Sequence, residues 1–301
     1  MRVAFCGLEL RNPVIAASGT FGYGIEFEDI LSLDKIGGFV TKGLSREPMA
    51  GNDAPRIIET ESGMINAIGL QNIGVAAFIQ EKLPALRRYA GTVCIANVFG
   101  YTIEDYLAVI EQLNDAEGIS AYELNASCPN TKHGGLVFGV DPAQLAELVI
   151  RARRLAQRPL IVKLSPNVTS VAQMARVAEA AGADALSLIN TFVSLVIDVK
   201  TRRPRIANVT GGLSGPAIKP IAVRMVWEAA HAVKIPVIGM GGISTAADVI
   251  EFMLAGASAV QVGTASYWDP RATEKIVGEL ERWCKEHEVS RLAALTGGVQ
   301  V

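Results

Sequence analysis

The chain has 301 residues, half of them hydrophobic and 19% charged, a composition that supplies a large core and excludes a disordered chain. Its 28 basic and 30 acidic residues give a formal net charge of −2 without a block of like charges, so no nucleic-acid partner is expected. The sequence shows neither the apolar stretch of a signal peptide nor an apolar run of about 18 residues, which predicts a cytoplasmic protein with no membrane span.

Short apolar runs rich in Val and Ile alternate with longer amphipathic stretches. The runs lie at 14–18, 38–43, 92–98, 121–127, 160–165, 184–190, 236–242 and 258–264. Nearly continuous apolar runs are typical of strands buried on both faces, and helical periodicity lies between them, for example at 102–115 and 142–157. This alternation predicts an α/β fold, a (β/α)₈ TIM barrel, in preference to an open doubly wound sheet.

The organisation of the chain indicates one domain over residues 1–301. A faint internal repeat, in which the segment from Ala181 resembles the segment from Ala255, corresponds to two barrel units of about 37 residues each. We expect a short N-terminal hairpin at 3–10 to close the bottom of the barrel. Two long connections at 45–66 and 191–215 each follow a strand end, where barrel enzymes build their sites, and both are expected to roof the site.

Cys128 is the candidate catalytic residue. It lies in Asn-Ala-Ser-Cys-Pro-Asn at 125–130, at the end of the fourth predicted strand, and a glycine-rich loop at 131–139 follows. Catalytic groups of barrel enzymes project from such strand ends, and glycines suit a loop that opens and closes. A thiol tuned toward thiolate can take a proton from a substrate. A buried structural cysteine is the more common case by composition, but this position favours a working thiol.

The other cysteines and the histidines suggest neither a metal site nor a catalytic triad. Cys6, Cys94 and Cys284 fit structural cysteines, and the absence of a Cys-x-x-Cys pair gives no sign of zinc or an iron–sulfur cluster. Two of the three histidines fall in predicted outer helices. His133 remains near the site, and we interpret it as a solvent-facing loop residue, so no His-based triad is expected.

Two glycine-rich turns follow the last two predicted strands, at 239–242 and 263–264. Barrel enzymes hold phosphate groups at these positions on backbone N–H groups and a helix N-terminus. Each of the two segments taken alone is also compatible with an ordinary tight turn that binds nothing. Two such turns on adjacent strands favour a phosphorylated cofactor or substrate.

Lys42 and Lys163 are charged residues within otherwise apolar runs. A buried ammonium group must find an anionic partner or lose its proton, so both are site candidates. A lysine that reaches solvent from the strand end is the alternative. That alternative suits Lys42 better than Lys163, whose two neighbours face the other side of the strand.

Several amide side chains lie at or near predicted strand ends and roofing loops. They are Asn66, Asn97, Asn125, Asn130 and Asn190. An amide donates and accepts hydrogen bonds at once, which suits a planar ring with alternating C=O and N–H groups. Each asparagine alone fits a turn residue, but their coincidence favours a binding site.

The chain resembles class 1 dihydroorotate dehydrogenase along nearly its whole length. The matching segments lie at 12–24, 41–43, 66–72, 125–130, 162–167, 189–191, 211–220 and 239–243. The resemblance implies an FMN-containing barrel that oxidises dihydroorotate to orotate in pyrimidine biosynthesis. The membrane-bound class 2 enzymes resemble this chain less, because they use serine as the base and carry an N-terminal extension.

The resemblance also implies roles for individual residues. FMN would contact Ser18, Lys42, Gly43, Asn97, Asn125, Lys163, Ile189, Gly215, Gly241, Gly242, Gly263 and Thr264. The substrate would contact Lys42, Asn66, Ala67, Ile68, Gly69, Leu70, Asn125, Asn130, Asn190 and Thr191. Cys128 would act as the base, and Lys163 would stabilise negative charge on the reduced flavin.

Within class 1 the sequence looks more like the NAD-linked 1B catalytic subunit than the 1A homodimer that reduces fumarate. The 1B resemblance implies a homodimer core joined to a second subunit that carries FAD and a [2Fe–2S] cluster, a heterotetramer. Three other functions stay open. They are a flavoenzyme similar to dihydropyrimidine dehydrogenase, a non-redox phosphate-binding barrel, and a catalytically silent binding subunit.

Overall fold

The computed structural model describes residues 1–89, 91–127 and 138–300. Its strands are β1 (Val3–Phe5), β2 (Leu8–Leu10), β3 (Val14–Ala16), β4 (Gly38–Val40), β5 (Ile57–Thr60), β6 (Gly63–Asn66), β7 (Val93–Val98), β8 (Ala121–Leu124), β9 (Leu160–Lys163), β10 (Ala185–Leu188), β11 (Phe192–Ser194), β12 (Ile197–Asp198), β13 (Arg203–Pro204), β14 (Gly211–Ser214), β15 (Val237–Met240) and β16 (Ala259–Val262). Its α-helices are α1 (Val75–Ala77), α2 (Leu83–Leu86), α3 (Ile103–Asn114), α4 (Pro142–Leu155), α5 (Val171–Ala180), α6 (Lys219–Ala232), α7 (Ala246–Leu254), α8 (Ala265–Trp268) and α9 (Ala272–Glu286).

Eight parallel strands close into a barrel. Their order around it is β3, β4, β7, β8, β9, β10, β15 and β16, and β16 pairs back to β3 through Val260 and Val14. Each strand therefore lies beside the next barrel strand of the chain, as the alternation of strands and helices predicts. The predicted (β/α)₈ TIM barrel is confirmed.

The observed strands are shorter than the apolar runs that predict them. The run at 38–43 becomes Gly38–Val40, and the run at 184–190 becomes Ala185–Leu188. The strands stop where the ladder of hydrogen bonds ends, and the residues that follow them, such as 41–43 and 189–190, form the rim of the barrel. This rim is the carboxyl end of the sheet, where barrel enzymes carry their sites.

The bottom of the barrel is closed by the N-terminal hairpin, as predicted. β1 and β2 pair antiparallel with Val3 opposite Leu10. Phe5 and Leu10 are buried against an inner apolar layer that includes Ile15, Ile95 and Ile161. This layer fills the lower half of the barrel.

The helices cover the outside of the barrel with their apolar faces. In α3, Thr102 accepts a hydrogen bond from the backbone N–H of Asp105, whose carboxylate accepts one from the backbone N–H of Thr102. This reciprocal cap satisfies backbone donors that a helix start leaves unpaired. The helix then buries Tyr106 and Val109 on one side, the periodicity expected for a helix on a sheet.

A four-stranded antiparallel sheet lies over the rim, in the order β11, β14, β6 and β5. It joins the two long connections, because Gly212 of one pairs with Asn66 of the other. A side chain at Gly212 would place its Cβ 1.9 Å from Oγ1 of Thr191, so only glycine fits there. The two predicted roofing segments thus form one roof sheet. None of the helices in the described ranges is long and apolar enough to cross a lipid bilayer.

Candidate active site

A cavity opens between the barrel rim and the roof sheet and encloses about 1200 Å³ including its open mouth. Most of the predicted site residues line it. They are Ser18, Lys42, Gly43, Asn66, Ile68, Gly69, Leu70, Asn125, Lys163, Ile189, Asn190, Thr191, Gly241, Gly242, Gly263 and Thr264. The strand ends therefore bring together residues from all parts of the chain.

Some of the predicted residues do not line this cavity. Asn97 and Ala67 are buried completely just behind its wall. Gly215 lies against Gly242, since a Cβ on Gly242 would be 2.7 Å from the carbonyl oxygen of Gly215. Cys128, Asn130 and His133 lie outside the described residues.

One end of the cavity is built from backbone. Gly241 and Gly242 have positive φ angles of 130° and 74°, a conformation that suits glycine. Beside them, the hydroxyl of Thr264 donates to Oγ of Ser214 over 2.8 Å. A turn without side chains lets a ligand approach its N–H groups closely, which fits a phosphate group.

Lys42 supplies positive charge to the wall of the cavity. Its backbone N–H donates to the carbonyl of Gly22 over 2.7 Å, which fixes the start of the side chain. Burial lowers the pKa of Lys42 below its ordinary value, the nearby Arg56 lowers it further, and Glu26 acts in the opposite direction. A partly desolvated ammonium attracts an anion more strongly than an exposed one.

A cluster of amide and hydroxyl groups lies immediately before position 128. Oγ of Ser127 donates to Oδ1 of Asn125 over 3.1 Å, and Nδ2 of Asn190 donates to Oγ of Ser127 over 2.8 Å. The Tyr106 hydroxyl donates to the carbonyl of Asn125 over 2.9 Å. These bonds fix the backbone from which Cys128 follows.

A polar layer lies beneath the cavity, inside the barrel. Glu123 is completely buried, and its Oε1 accepts a hydrogen bond from Nδ2 of Asn97 over 2.7 Å. Its Oε2 accepts from the hydroxyl of Ser187 over 2.8 Å and from Nε2 of Gln261 over 2.7 Å. Nζ of Lys163 lies 3.9 Å from Oε1. These side chains come from five strands, so they meet in the barrel interior.

Two acceptors of this layer have no hydrogen-bond partner among the described residues, Oδ1 of Asn97 and Oε1 of Gln261. Their orientation follows from Glu123, because a carboxylate only accepts and both amides must turn their NH₂ groups toward it. Gln261 lines the cavity, and a Cβ on Gly43 would lie 3.1 Å from Oδ1 of Asn97. The acceptor of Gln261 therefore borders the cavity, where it suits a ligand that carries an N–H group.

Comparison with known proteins assigns this architecture to a family. The family profile described as dihydroorotate dehydrogenase matches residues 1–283. The chain belongs to the dihydroorotate dehydrogenase family. The resemblance inferred from the motifs is thereby confirmed.

The relatives of this dihydroorotate dehydrogenase family member match it from end to end. The "Putative dihydroorotate dehydrogenase A (fumarate)" of Solibacter usitatus is 59% identical, over 99% of this chain and 97% of the relative. The "Dihydroorotate dehydrogenase B (NAD(+)), catalytic subunit" of Pelobacter propionicus is 57% identical, over 100% of this chain and 98% of the relative. The protein of the same name from Trichlorobacter lovleyi is 56% identical, over 100% of this chain and 98% of the relative.

Enzymes of this family depend on a flavin, and the residues present fit such a group. The ring system of a flavin carries an N–H donor between two carbonyl groups. The unpaired acceptor of Gln261 on the cavity floor suits that donor, and Lys163 suits the carbonyl oxygens. The acceptor of Gln261 otherwise has no partner among the described residues, and Lys163, which lies 3.9 Å from Glu123, still reaches the cavity.

Sequence reasoning missed Glu123 and Gln261. Each lies two residues before a residue that was found, Asn125 and Gly263 respectively, and therefore on the same face of its strand. A carboxylate within an apolar strand was the signal that could have revealed the layer.

The remaining cysteines of the described chain differ from a reactive thiol. Burial raises the pKa of Cys94 to about 12. Burial and the charge of Asp184 raise the pKa of Cys6 to about 12. Burial also raises the pKa of Cys284. A raised pKa leaves the thiol protonated and poorly nucleophilic, which agrees with a structural interpretation of all three.

His231 lies in the outer helix α6, as predicted, whereas His287, which was also predicted within an outer helix, is the residue that caps the C-terminal end of α9. Nδ1 of His231 is 2.8 Å from the carbonyl of Trp227 in α6, and Nδ1 of His287 is 2.9 Å from the carbonyl of Trp283 in α9. Within 1–89, 91–127 and 138–300, no group of His, Cys, Asp or Glu is arranged to hold a metal ion.

Proposed function

We propose that this protein oxidises dihydroorotate to orotate in pyrimidine biosynthesis, with FMN as its cofactor. One observation carries the proposal. In a chain of this family, two lysines and four amide side chains converge on one cavity, one end of which is a turn of bare backbone. Positive charge, amide groups and a phosphate-sized turn are what an acidic pyrimidine and a flavin phosphate require.

The cofactor is held at the floor and the glycine end of the cavity in this proposal. The residues that would hold FMN are Ser18, Lys42, Gly43, Asn97, Asn125, Lys163, Ile189, Gly215, Gly241, Gly242, Gly263 and Thr264. The glycine turns would bind the phosphate through backbone N–H groups. The acceptor of Gln261 would bind the ring N–H, an addition to the set proposed from sequence.

The substrate is held between Lys42 and the roof sheet. The residues that would hold it are Lys42, Asn66, Ala67, Ile68, Gly69, Leu70, Asn125, Asn130, Asn190 and Thr191. Lys42 would attract the carboxylate, and the amides would match the alternating C=O and N–H groups of the ring. This selects an acidic pyrimidine over an uncharged one.

Cys128 would remove the proton from C5 of dihydroorotate. The chemistry that FMN would supply when bound is that of a hydride acceptor for C6. Lys163 would stabilise the negative charge that accumulates during the reaction, acting from a buried position where charge is poorly screened. The support for Cys128 is its place directly after Ser127, whose hydroxyl is tied to the cavity residues Asn125 and Asn190.

The spectrum of the purified protein tests the cofactor, and reduction by substrate tests the reaction. We expect a yellow protein that releases FMN on denaturation and is bleached anaerobically by dihydroorotate. Dihydrouracil, which lacks the carboxylate, should bleach the protein far more slowly, because it cannot form an ion pair with Lys42. A colourless protein would favour a non-redox phosphate-binding barrel, and equal bleaching by both compounds would favour a dihydropyrimidine dehydrogenase-like activity.

For the electron acceptor we propose NAD⁺, reached through a second subunit that carries FAD and a [2Fe–2S] cluster and joins a homodimer of this chain. The names of the Pelobacter and Trichlorobacter relatives support it. The Solibacter relative's name favours the alternative, a homodimer that reduces fumarate directly. Turnover by this chain alone with fumarate would overturn the NAD-linked proposal. A single domain over 1–301 and a cytoplasmic location stay predictions.

A further inference from the structure

The polar layer beneath the cavity contains a buried charge that the proposed reaction does not use. Glu123 has no exposed surface, whereas Lys163, whose side chain is 8% exposed, reaches the cavity. The carboxylate is fixed from three sides by Asn97, Ser187 and Gln261. Its position is therefore determined by four strands of the barrel and not by a ligand.

The three neutral donors leave the negative charge of Glu123 in place. A buried charge is costly unless it is paired, and Lys163 is the one cation within 4.0 Å of Glu123 in the described part of the chain. Their separation of 3.9 Å is longer than a direct hydrogen bond. The ammonium is thus attracted toward Glu123 while its N–H groups remain able to bind a ligand in the cavity.

We propose that Glu123 is a positioning residue that acts through Lys163. It holds the ammonium at the cavity floor and offsets its charge, so that the two residues meet the flavin as a neutral pair. The inference rests on the proposed function for its flavin, but the pairing itself does not depend on a ligand.

The consequence for the cofactor is a reduction potential set by two opposing charges. A reduced flavin carries more negative charge than an oxidised one. Lys163 favours the reduced form and Glu123 opposes it, because both lie in a poorly solvated interior where charges act strongly. Removing one charge leaves the other unopposed.

The midpoint potential of the bound flavin tests this consequence. Glu123→Gln should raise the potential by about 30 mV, a tenfold shift toward the reduced form for a two-electron couple. Lys163→Gln should lower it, and the double variant should lie close to the wild-type value. A potential that stays unchanged or falls in Glu123→Gln would overturn the proposal, since a purely structural glutamate has no reason to raise it.

A matched control is Glu111→Gln, which removes an exposed glutamate from α3. Solvent and salt screen that charge, so the potential should equal that of the wild type. An equal rise in this variant would show that the effect of Glu123→Gln is not specific to the buried pair.

Thermal melting of the same proteins in excess FMN tests the pairing independently of redox behaviour. Each single substitution leaves a buried charge unpaired and should lower the melting temperature, whereas the double variant should be less destabilised than the sum of the two. Additive losses would overturn the pairing. If the wild type binds no flavin, the proposed function fails, and the melting series still decides whether the two residues are paired.

Discussion

Lys42 shows how burial gives one residue a pH dependence that can be measured. Its pKa lies below the ordinary lysine value, with burial as the largest cause. The ammonium therefore loses its proton at a lower pH than an exposed lysine, whose pKa is about 10.4. We predict that orotate binds with full affinity near neutral pH and progressively more weakly as the pH rises through this lowered pKa. Titration of the flavin spectrum with orotate at a series of pH values measures the effect.

Lys42→Arg provides the control, because arginine stays protonated at every pH of the series. Any weakening caused by ionisation of orotate itself affects both proteins. The difference between the two profiles therefore belongs to Lys42. Identical profiles would contradict the prediction, because they would show that loss of the Lys42 proton does not weaken orotate binding over this pH range.

Cys128 is the base in the proposed reaction. Cys128→Ala should slow anaerobic flavin reduction by dihydroorotate by roughly 10²- to 10⁴-fold, the usual contribution of a general base, while FMN stays bound. Stopped-flow absorbance of the flavin measures the rate. Cys284→Ala changes a partly exposed thiol in α9 that lies 4.0 Å from Sδ of Met1. The flavin of this control variant should be reduced at the wild-type rate. Equal rates for wild type and Cys128→Ala would remove Cys128 from the mechanism.

Residues on the rim of the barrel could be predicted from sequence, as could Lys163 and Asn97 beneath it, whereas Glu123 and Gln261 were missed. Lys42 and Asn125 stand at strand ends, where the fold alone indicates a site. Glu123 stands in mid-strand, where the same pattern predicts an apolar core. Its stabilisation depends on Asn97 and Gln261, and no local pattern predicts that side chains so far apart in sequence meet inside the barrel.

At the scale of elements, the glycine turn after β15 has a strict conformational requirement. Gly242 has φ of 74°, and a Cβ there would lie 2.7 Å from the carbonyl oxygen of Gly215 and 2.9 Å from Cβ of Lys219. We predict that Gly242→Ala lowers the free energy of unfolding by about 1–3 kcal/mol. It should also weaken FMN binding, because the turn must shift. Urea unfolding and flavin titration measure the two effects.

Gly278→Ala in α9 should have the opposite effect on stability. The nearest atom to a Cβ at that position is 3.9 Å away on the flexible side chain of Arg282. Alanine in a helix interior is more stable than glycine by about 0.5–1 kcal/mol. A loss of stability in both glycine variants would contradict the argument from local conformation.

The order of elements was predictable, but the pairing of the roof was not. The alternation of apolar runs with helical periodicity indicates the barrel because each unit is local. The roof sheet instead joins Asn66 to Gly212 and Ile65 to Leu213, a register between segments distant in the chain. The short roof strands form because the two connections pair with each other. Their own sequences contain glycine at positions where β-branched or aromatic residues are typical of strands.

Across the molecular surface, a row of exposed aliphatic side chains occupies alternate positions from 193 to 199, starting in the edge strand β11 of the roof sheet and continuing through β12 into the turn after it. Val193, Leu195, Ile197 and Val199 are 50%, 46%, 53% and 86% exposed. Several exposed apolar side chains within one short segment are typical of a protein contact. It supports the proposed homodimer, with a second copy of this chain covering the row.

We therefore predict that the purified chain is a dimer and that replacing Leu195 and Ile197 together by glutamate makes it a monomer. Two carboxylates in a closed apolar contact would be desolvated without partners, whereas in a monomer they face water and leave the barrel intact. Light scattering after size exclusion measures the mass, and an unchanged flavin spectrum shows that the fold is kept. Ile221→Glu on α6, which changes an isoleucine with 42% exposure outside the row, should remain dimeric. A dimer that survives the double substitution would place the contact on another face.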